Sequence, residues 1–373
     1  MKIAVMLRHL GQHGGGVLVY TDALLRELLV LGAEHEFTLL HRDPRHLGTY
    51  AGHANVRERI LRAPGAAIWD QWAVWRALRA EPHDILFNPK FPVPLMARCP
   101  TVFVCHGLDW YAMPWASKPA DRVSHRLLFP RYARRAARIV AVSDTVKRHL
   151  GDYVGVPAEK VRTVHHGLDR TLFRSPPEAQ GRAVRARHGL PDSYFLYCGQ
   201  IYPPKNLGRL LEAYARVGPG RGIHLVLAGT HTFLSEGEIA RIGALGLEPW
   251  VRRLGWVAQE DLPALYAGAL ALTMPSLYES FLMPIVEAMA VGCPVLTADR
   301  HGTEEIAGGA ALLVDPESVE SIRAGLERLA EDAPLRRALA GRGLERARRF
   351  DWSRCAAEVL ALLEETAAAG AAR

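Results

Sequence analysis

Four side chains combine a reactive type with a telling position: Glu279, Glu287, Lys205 and His106. The two glutamates lie in PSLYESFLMPIVEAMAVGCP, residues 275–294. A short apolar run ends there at Pro275-Ser276, and a loop carries Glu279. Pro284 suits the first position of a helix, where its missing N–H has no acceptor to lose. Gly292 and Pro294 stop that helix, and Glu287 falls one turn inside it. The N–H groups near Phe281–Met283 point from this helix start toward the cleft, and such an end attracts phosphate. Behind it, Glu287 suits two hydrogen bonds from a ribose diol, and Glu279 suits sugar hydroxyls. On spacing alone the plainer reading is favoured: a solvated loop carboxylate and a helix-dipole partner.

Lys205 closes a similar junction in YFLYCGQIYPPKNLGRLLEA, residues 194–213. A strand ends at Gly199-Gln200, and Lys205-Asn206 opens a helix. A lysine there opposes the helix dipole. A diphosphate would reverse that penalty, since lysine is a good point-charge partner for it. The plain alternative is a solvent-facing lysine beside an asparagine N-cap. Gly14-Gly15-Gly16 follows the first strand and permits close backbone approach to a ligand. It lacks the G-x-G-x-x-G spacing and by itself reads as a tight turn. His106 ends a strand in VFVCHGLD with Asp109 nearby, and a lone histidine is more often structural than catalytic. No His/Cys/Asp group has metal-ligand spacing, and no G-x-S-x-G elbow is present.

These residues need a scaffold, and the pattern supplies one. Twelve short apolar runs alternate with helical stretches. Six are Ile3–Leu7, Phe37–His41, Ile85–Asn88, Val102–His106, Ile139–Ser143 and Val161–His165. Six more are Tyr194–Cys198, His224–Ala228, Val251–Val257, Ala271–Pro275, Pro294–Thr297 and Ala311–Val314. Strands apolar on both faces belong to parallel sheets, and alternation with helices implies βαβ units. The expectation is an α/β chain of two doubly wound Rossmann-like domains facing across a cleft, with ligands at the carboxyl ends of the strands. Phe173–Asp192 carries Ser175-Pro176-Pro177 and reads as linker with a short helix.

Composition is that of a globular protein, 49% hydrophobic and 23% charged over 373 residues. No apolar run approaches the ~20 residues that span a bilayer, and the N-terminus reads as a strand, so a cytoplasmic protein is expected. The five cysteines form no Cys-x-x-Cys pair and read as reduced thiols. The net charge of +7 is uneven: residues 1–172 carry 24 basic and 15 acidic side chains. The arginines between Arg122 and Arg138 are the densest group. They suggest an anionic acceptor or peripheral contact with the inner membrane face. Nucleic acid is not expected, because no recognition motif accompanies the charge.

Together these motifs resemble the retaining GT-B glycosyltransferases, in particular family 4 (glycosyl transferases group 1). The resemblance rests on the E-x7-E spacing of Glu279 and Glu287, on Gly15-Gly16-Val17 with Tyr20, and on VCHGLDWY, AVSDTVKRHL, VHHGLDRTLF, GQIYPPKN, LGWV and EEIAGGAALLVDP, in that family's order. It implies a GT-B fold with an acceptor domain (1–172), a linker (173–192) and a donor domain (193–352). A C-terminal helix, about 353–373, would cross back to the first domain. It implies transfer of a hexose, mannose or glucose, from a GDP- or UDP-linked sugar to a glycan, lipid-linked or phosphorylated acceptor, without metal or cofactor. Lys205, with N–H groups before the Glu287 helix and near Gly16, would stabilise the leaving diphosphate. Glu287 would hold the ribose, and Glu279 and His106 the transferred sugar. Gly15, Gly16, Gly199, Gln200, Asn206, Ser280, Phe281, Leu282 and Met283 would line the donor. Three residues depart from the family pattern: Leu282 and Leu18 replace glycines, and Gln200 replaces an arginine. Those departures leave two competitors, a catalytically impaired partner subunit and another reaction on the same fold, such as a sugar-nucleotide epimerase.

Overall fold

The computed structural model describes residues 1–11, 15–232 and 235–371. Gly14 therefore lies outside the described residues, as do Ala372 and Arg373 at the expected end of the last helix. The chain forms two compact units. One runs from Met1 to Gly167 and resumes at Asp351, and the other is Leu168–Phe350.

The first unit holds a seven-stranded parallel sheet in the order β3-β2-β1-β4-β5-β6-β7. Its strands are β1 Lys2–Met6, β2 Glu36–His41, β3 Val56–Ile60, β4 Ile85–Asn88, β5 Thr101–Cys105, β6 Arg138–Ala141 and β7 Val161–Thr163. The second holds a six-stranded parallel sheet in the order β10-β9-β8-β11-β12-β13. Its strands are β8 Tyr194–Cys198, β9 His224–Ala228, β10 Val251–Gly255, β11 Ala271–Met274, β12 Val295–Ala298 and β13 Leu312–Val314. All twelve expected runs are strands. The thirteenth, β3, was not expected because its sequence is VRERI. It is an edge strand held by charge: Arg57 and Arg59 each meet Glu81 at 3.0 Å. Glu58 accepts the N–H groups of Gly48 and Tyr50 and faces buried His41 at 2.9 Å.

Residues 173–192 contain the expected helix, Glu178–His188, and lie within the second compact unit. Val184 is buried, and Arg187 and His188 both reach Asp261 at 2.8 Å, which fastens the segment to the second unit. The last helix, Trp352–Ala371, packs on the Gly16–Leu31 helix of the first unit. Its apolar residues Val359, Leu362 and Leu363 are buried. Gly167 and Trp352 touch so closely that a Cβ on the glycine would lie 2.2 Å from the Trp352 nitrogen. No helix among the described residues is long and apolar enough to cross a membrane.

Candidate active site

Each sheet reverses its winding once, and the carboxyl ends of the strands at that reversal are where doubly wound folds bind ligands. In the second sheet the reversal lies between β8 and β11. Lys205 follows β8 and Glu279 follows β11, so the topology alone brings the two loops together. The Lys205 ammonium donates to Glu279 Oε1 at 2.5 Å, and the side chains are only 12% and 8% exposed. Glu279 is thus not the solvated loop carboxylate that spacing favoured. Desolvating two charges offsets most of their attraction, so a buried ion pair is weak evidence of stabilisation. The pair lies at the reversal where doubly wound folds bind ligands.

The loops are built to hold that geometry. Leu277 N–H donates to Pro204 O at 2.8 Å, tying one loop to the other. Gly302 N–H donates to the Glu279 carbonyl at 3.0 Å, and a Cβ at 302 would lie 2.3 Å from Ser280 O. Only glycine lets the His301–Ala307 helix support the Glu279 loop at this distance. Gly229 is equally crowded: a Cβ there would lie 2.0 Å from the carbonyl oxygen of Gly199. Asn206 is the N-cap of the following helix, Leu207–Ala215, but its side chain makes no capping bond. It adopts the left-handed conformation (φ 63°), and its buried amide donates to Pro275 O (2.8 Å) and Pro316 O (2.6 Å). Its side chain ties the loop after β8 to the loop after β11. Gln200 is exposed after β8.

The Met283–Ala290 helix begins with Met283 at its first position and Pro284 at its second. Leu282, at the N-cap, has φ −102° and a buried side chain, so leucine in place of glycine needs no unusual backbone here. Ser280 is half-buried, and Phe281 packs edge-on against Phe350 with ring centres 5.7 Å apart. Glu287 is buried, not a surface dipole partner. Its Oε2 accepts from Tyr266 at 2.7 Å, and burial pushes its carboxyl up to about 7 despite that bond. Tyr266 lies on the Leu262–Gly268 helix, between alanine and apolar neighbours that give no sign of a polar task. Sequence reasoning missed it.

In the first unit, the reversal lies between β1 and β4. Gly15 precedes the Gly16–Leu31 helix with φ 104°, a conformation that needs glycine. His106 follows β5. Its Nε2–H donates to the Pro89 carbonyl at 2.7 Å, and its ring meets Tyr20 edge-on at 4.7 Å. Burial lowers its pKa to about 4, so the imidazole is neutral and its tautomer is set by Pro89. Arg8, after β1, pairs with buried Asp70 at 2.8 Å, and Lys90, after β4, lies close enough to Arg8 to feel its charge. Glu34, His35 and Glu364 place ligand-type atoms together on the first unit, but both glutamates are exposed.

Comparison with known proteins bears directly on this arrangement. Residues 183–346 match the family described as Glycosyl transferases group 1, and residues 14–172 match Glycosyltransferase Family 4. The O-antigen chain mannosyltransferase B of Escherichia coli is 30% identical over 290 residues, 76% of this chain and 75% of that one. The MMP alpha-(1->4)-mannosyltransferase of Mycolicibacterium hassiacum is 31% identical over 267 residues, 70% of this chain and 62% of its own length. Among solved structures, Anabaena HepE in complex with UDP and glucose superposes with a TM-score of 0.76 at 21% identity, covering 98% of this chain and all of that one.

Proposed function

The chain belongs to the group 1 glycosyl transferases of family 4, a GT-B glycosyltransferase of the hexosyltransferase class, and from that membership we propose a retaining, metal-independent reaction. The donor is a UDP- or GDP-linked mannose or glucose. The acceptor is a glycan, lipid-linked or phosphorylated sugar. The buried Lys205–Glu279 pair carries this reading. A departing nucleotide diphosphate needs positive charge at its oxygens. Lys205 and the N-terminus of the Met283–Ala290 helix supply it in a water-poor site. Glu279 would hold hydroxyls of the transferred sugar, and Glu287 the ribose. His106, neutral and fixed by Pro89, would meet the sugar by hydrogen bonding and not by charge. Two named relatives act on mannose, and the HepE structure contains UDP and glucose, which supports a hexose on a nucleotide diphosphate.

Lys205→Ala and Glu279→Ala should each lower kcat/KM by at least about 100-fold, the scale of one lost electrostatic contact. The double variant separates catalysis from structure. A merely structural pair would recover activity when both charges are removed, whereas catalytic roles leave the double variant as inactive as either single one. Wild-type turnover in the single variants would remove the assignment.

Peripheral contact with an anionic membrane is part of the same proposal. The Pro119–Arg135 helix turns Val123, Leu127 and Leu128 outward at 41–59% exposure, and Trp115 stands exposed just before it. Between Met113 and Arg138 there are seven basic residues and one acidic. Arg126, Arg131 and Arg134 enter no ion pair with a carboxylate among the described residues. Apolar anchors ringed by arginine suit an anionic bilayer surface. The chain should sediment with phosphatidylglycerol vesicles and not with phosphatidylcholine alone. Replacing the three arginines by glutamine should weaken that binding at least about tenfold, at ~1 kcal/mol per charge. Binding indifferent to lipid charge, or self-association in solution, would reject the membrane assignment.

A further inference from the structure

A buried carboxylate is held in one orientation only by the groups that donate to it. Glu287 enters no ion pair among the described residues, and Tyr266 is the group that meets it. The Tyr266 ring is fully buried, and its hydroxyl donates to Glu287 Oε2 at 2.7 Å. The buried Cys198 thiol, at the end of β8, lies beside the same hydroxyl. Phe173 adds a ring 6.4 Å away. The phenol is therefore immobilised from three sides. The other carboxylate oxygen, Oε1, is not among the sealed orphaned atoms, and Glu287 keeps 8% of its surface. A carboxylate offers about four acceptor sites, and one phenol satisfies a single one. One face is fixed and the other is open.

We infer that Tyr266 is a positioning residue for donor recognition: its hydroxyl fixes Glu287 so that the free carboxylate oxygen receives the ribose hydroxyls of the nucleotide. This rests on the proposal that Glu287 holds the ribose. Tyr266 touches no donor atom itself. Its contribution is directional, since a carboxylate free to rotate would have to be ordered on each binding event. It discriminates ribose from sugars lacking those hydroxyls, because an analogue without them leaves the buried carboxylate short of partners.

The test is calorimetric binding of UDP and GDP, each compared with its 2′,3′-dideoxyribose counterpart. The wild-type protein should prefer the ribose form roughly 10- to 100-fold, the scale of hydrogen bonds to a charged group. Tyr266→Phe should reduce that preference to within about threefold, with unchanged affinity for the dideoxy compound. General damage to the site would weaken both ligands together, and that result overturns the inference. Incorporating 3-fluorotyrosine at 266 keeps the hydroxyl and should retain the preference. If Tyr266→Phe does not fold, Glu287→Asp serves instead. It withdraws the carboxylate from the phenol and should also lose discrimination, and discrimination retained in Glu287→Asp overturns the inference. Glu287→Ala separates the two levels. Full discrimination in Glu287→Ala refutes the ribose role of Glu287 and the inference with it. Lost discrimination in Glu287→Ala but not in Tyr266→Phe refutes the inference alone.

Discussion

A carboxyl group with one neutral donor for company is ionised only at a cost, and Glu287 shows the consequence. Burial lifts its pKa from the ordinary 4.5 to about 7. The folded chain therefore keeps this proton to a higher pH than the unfolded chain does. Where the folded state binds more protons, stability falls as pH rises. The loss begins near the unfolded value and is complete above about 7. Glu287→Gln removes it, so the variant should match the wild type at about pH 4 and exceed it by on the order of 3 kcal/mol at about pH 8. Urea midpoints at the two pH values measure this, and an equal difference at both would reject it. Lys205 was legible as a misplaced charge at a helix start. Its partner was not, because Glu279 lies 74 positions away in sequence and only the sheet order brings it near. Tyr266 was illegible for a different reason: a phenol in LPALYAG looks like core until its hydroxyl is seen to have a destination.

At the level of elements, apolar runs were enough to find strands that both faces bury. They failed at β3, whose VRERI is specified by ion pairs along an edge and not by burial. The same limit hid the fastening of Glu178–His188, which depends on Asp261. Close backbone contacts are equally silent in sequence. Nothing in DRHGTEE announces that Gly302 supports the Glu279 loop, yet a methyl group there meets Ser280 O and Glu279 O, both backbone atoms that cannot swing away. Gly302→Ala should therefore cost on the order of 2 kcal/mol of stability and weaken nucleotide binding, because the loop must move to admit it. Thermal unfolding with and without nucleotide reads both effects. An unaltered nucleotide affinity would show that the loop does not need this support.

The whole chain behaves as two cores, so its unfolding need not be a single transition. The proposed donor groups Lys205, Glu279 and Glu287 all belong to Leu168–Phe350. A nucleotide bound there should raise the transition of that unit by mass action, about 2.7 kcal/mol at 100 times its Kd. A thermal-shift comparison of UDP, GDP and ADP should thus identify the base. No shift with any of them would favour the impaired partner subunit that Leu282 and Gln200 left open.

The contact between Gly167 and Trp352 bears on the birth of the molecule. Chain leaves the first unit at Gly167 and re-enters it beside the same point, so the second unit is an insertion with neighbouring ends. Arg170 marks the inserted side, donating to the carbonyls of Arg348 and Phe350. A ribosome therefore delivers the first sheet early but the Trp352–Ala371 helix last, after the whole insertion has been made. Until then the Gly16–Leu31 helix lacks the partner that covers it. The insertion, continuous and closed on itself, can mature while its host waits.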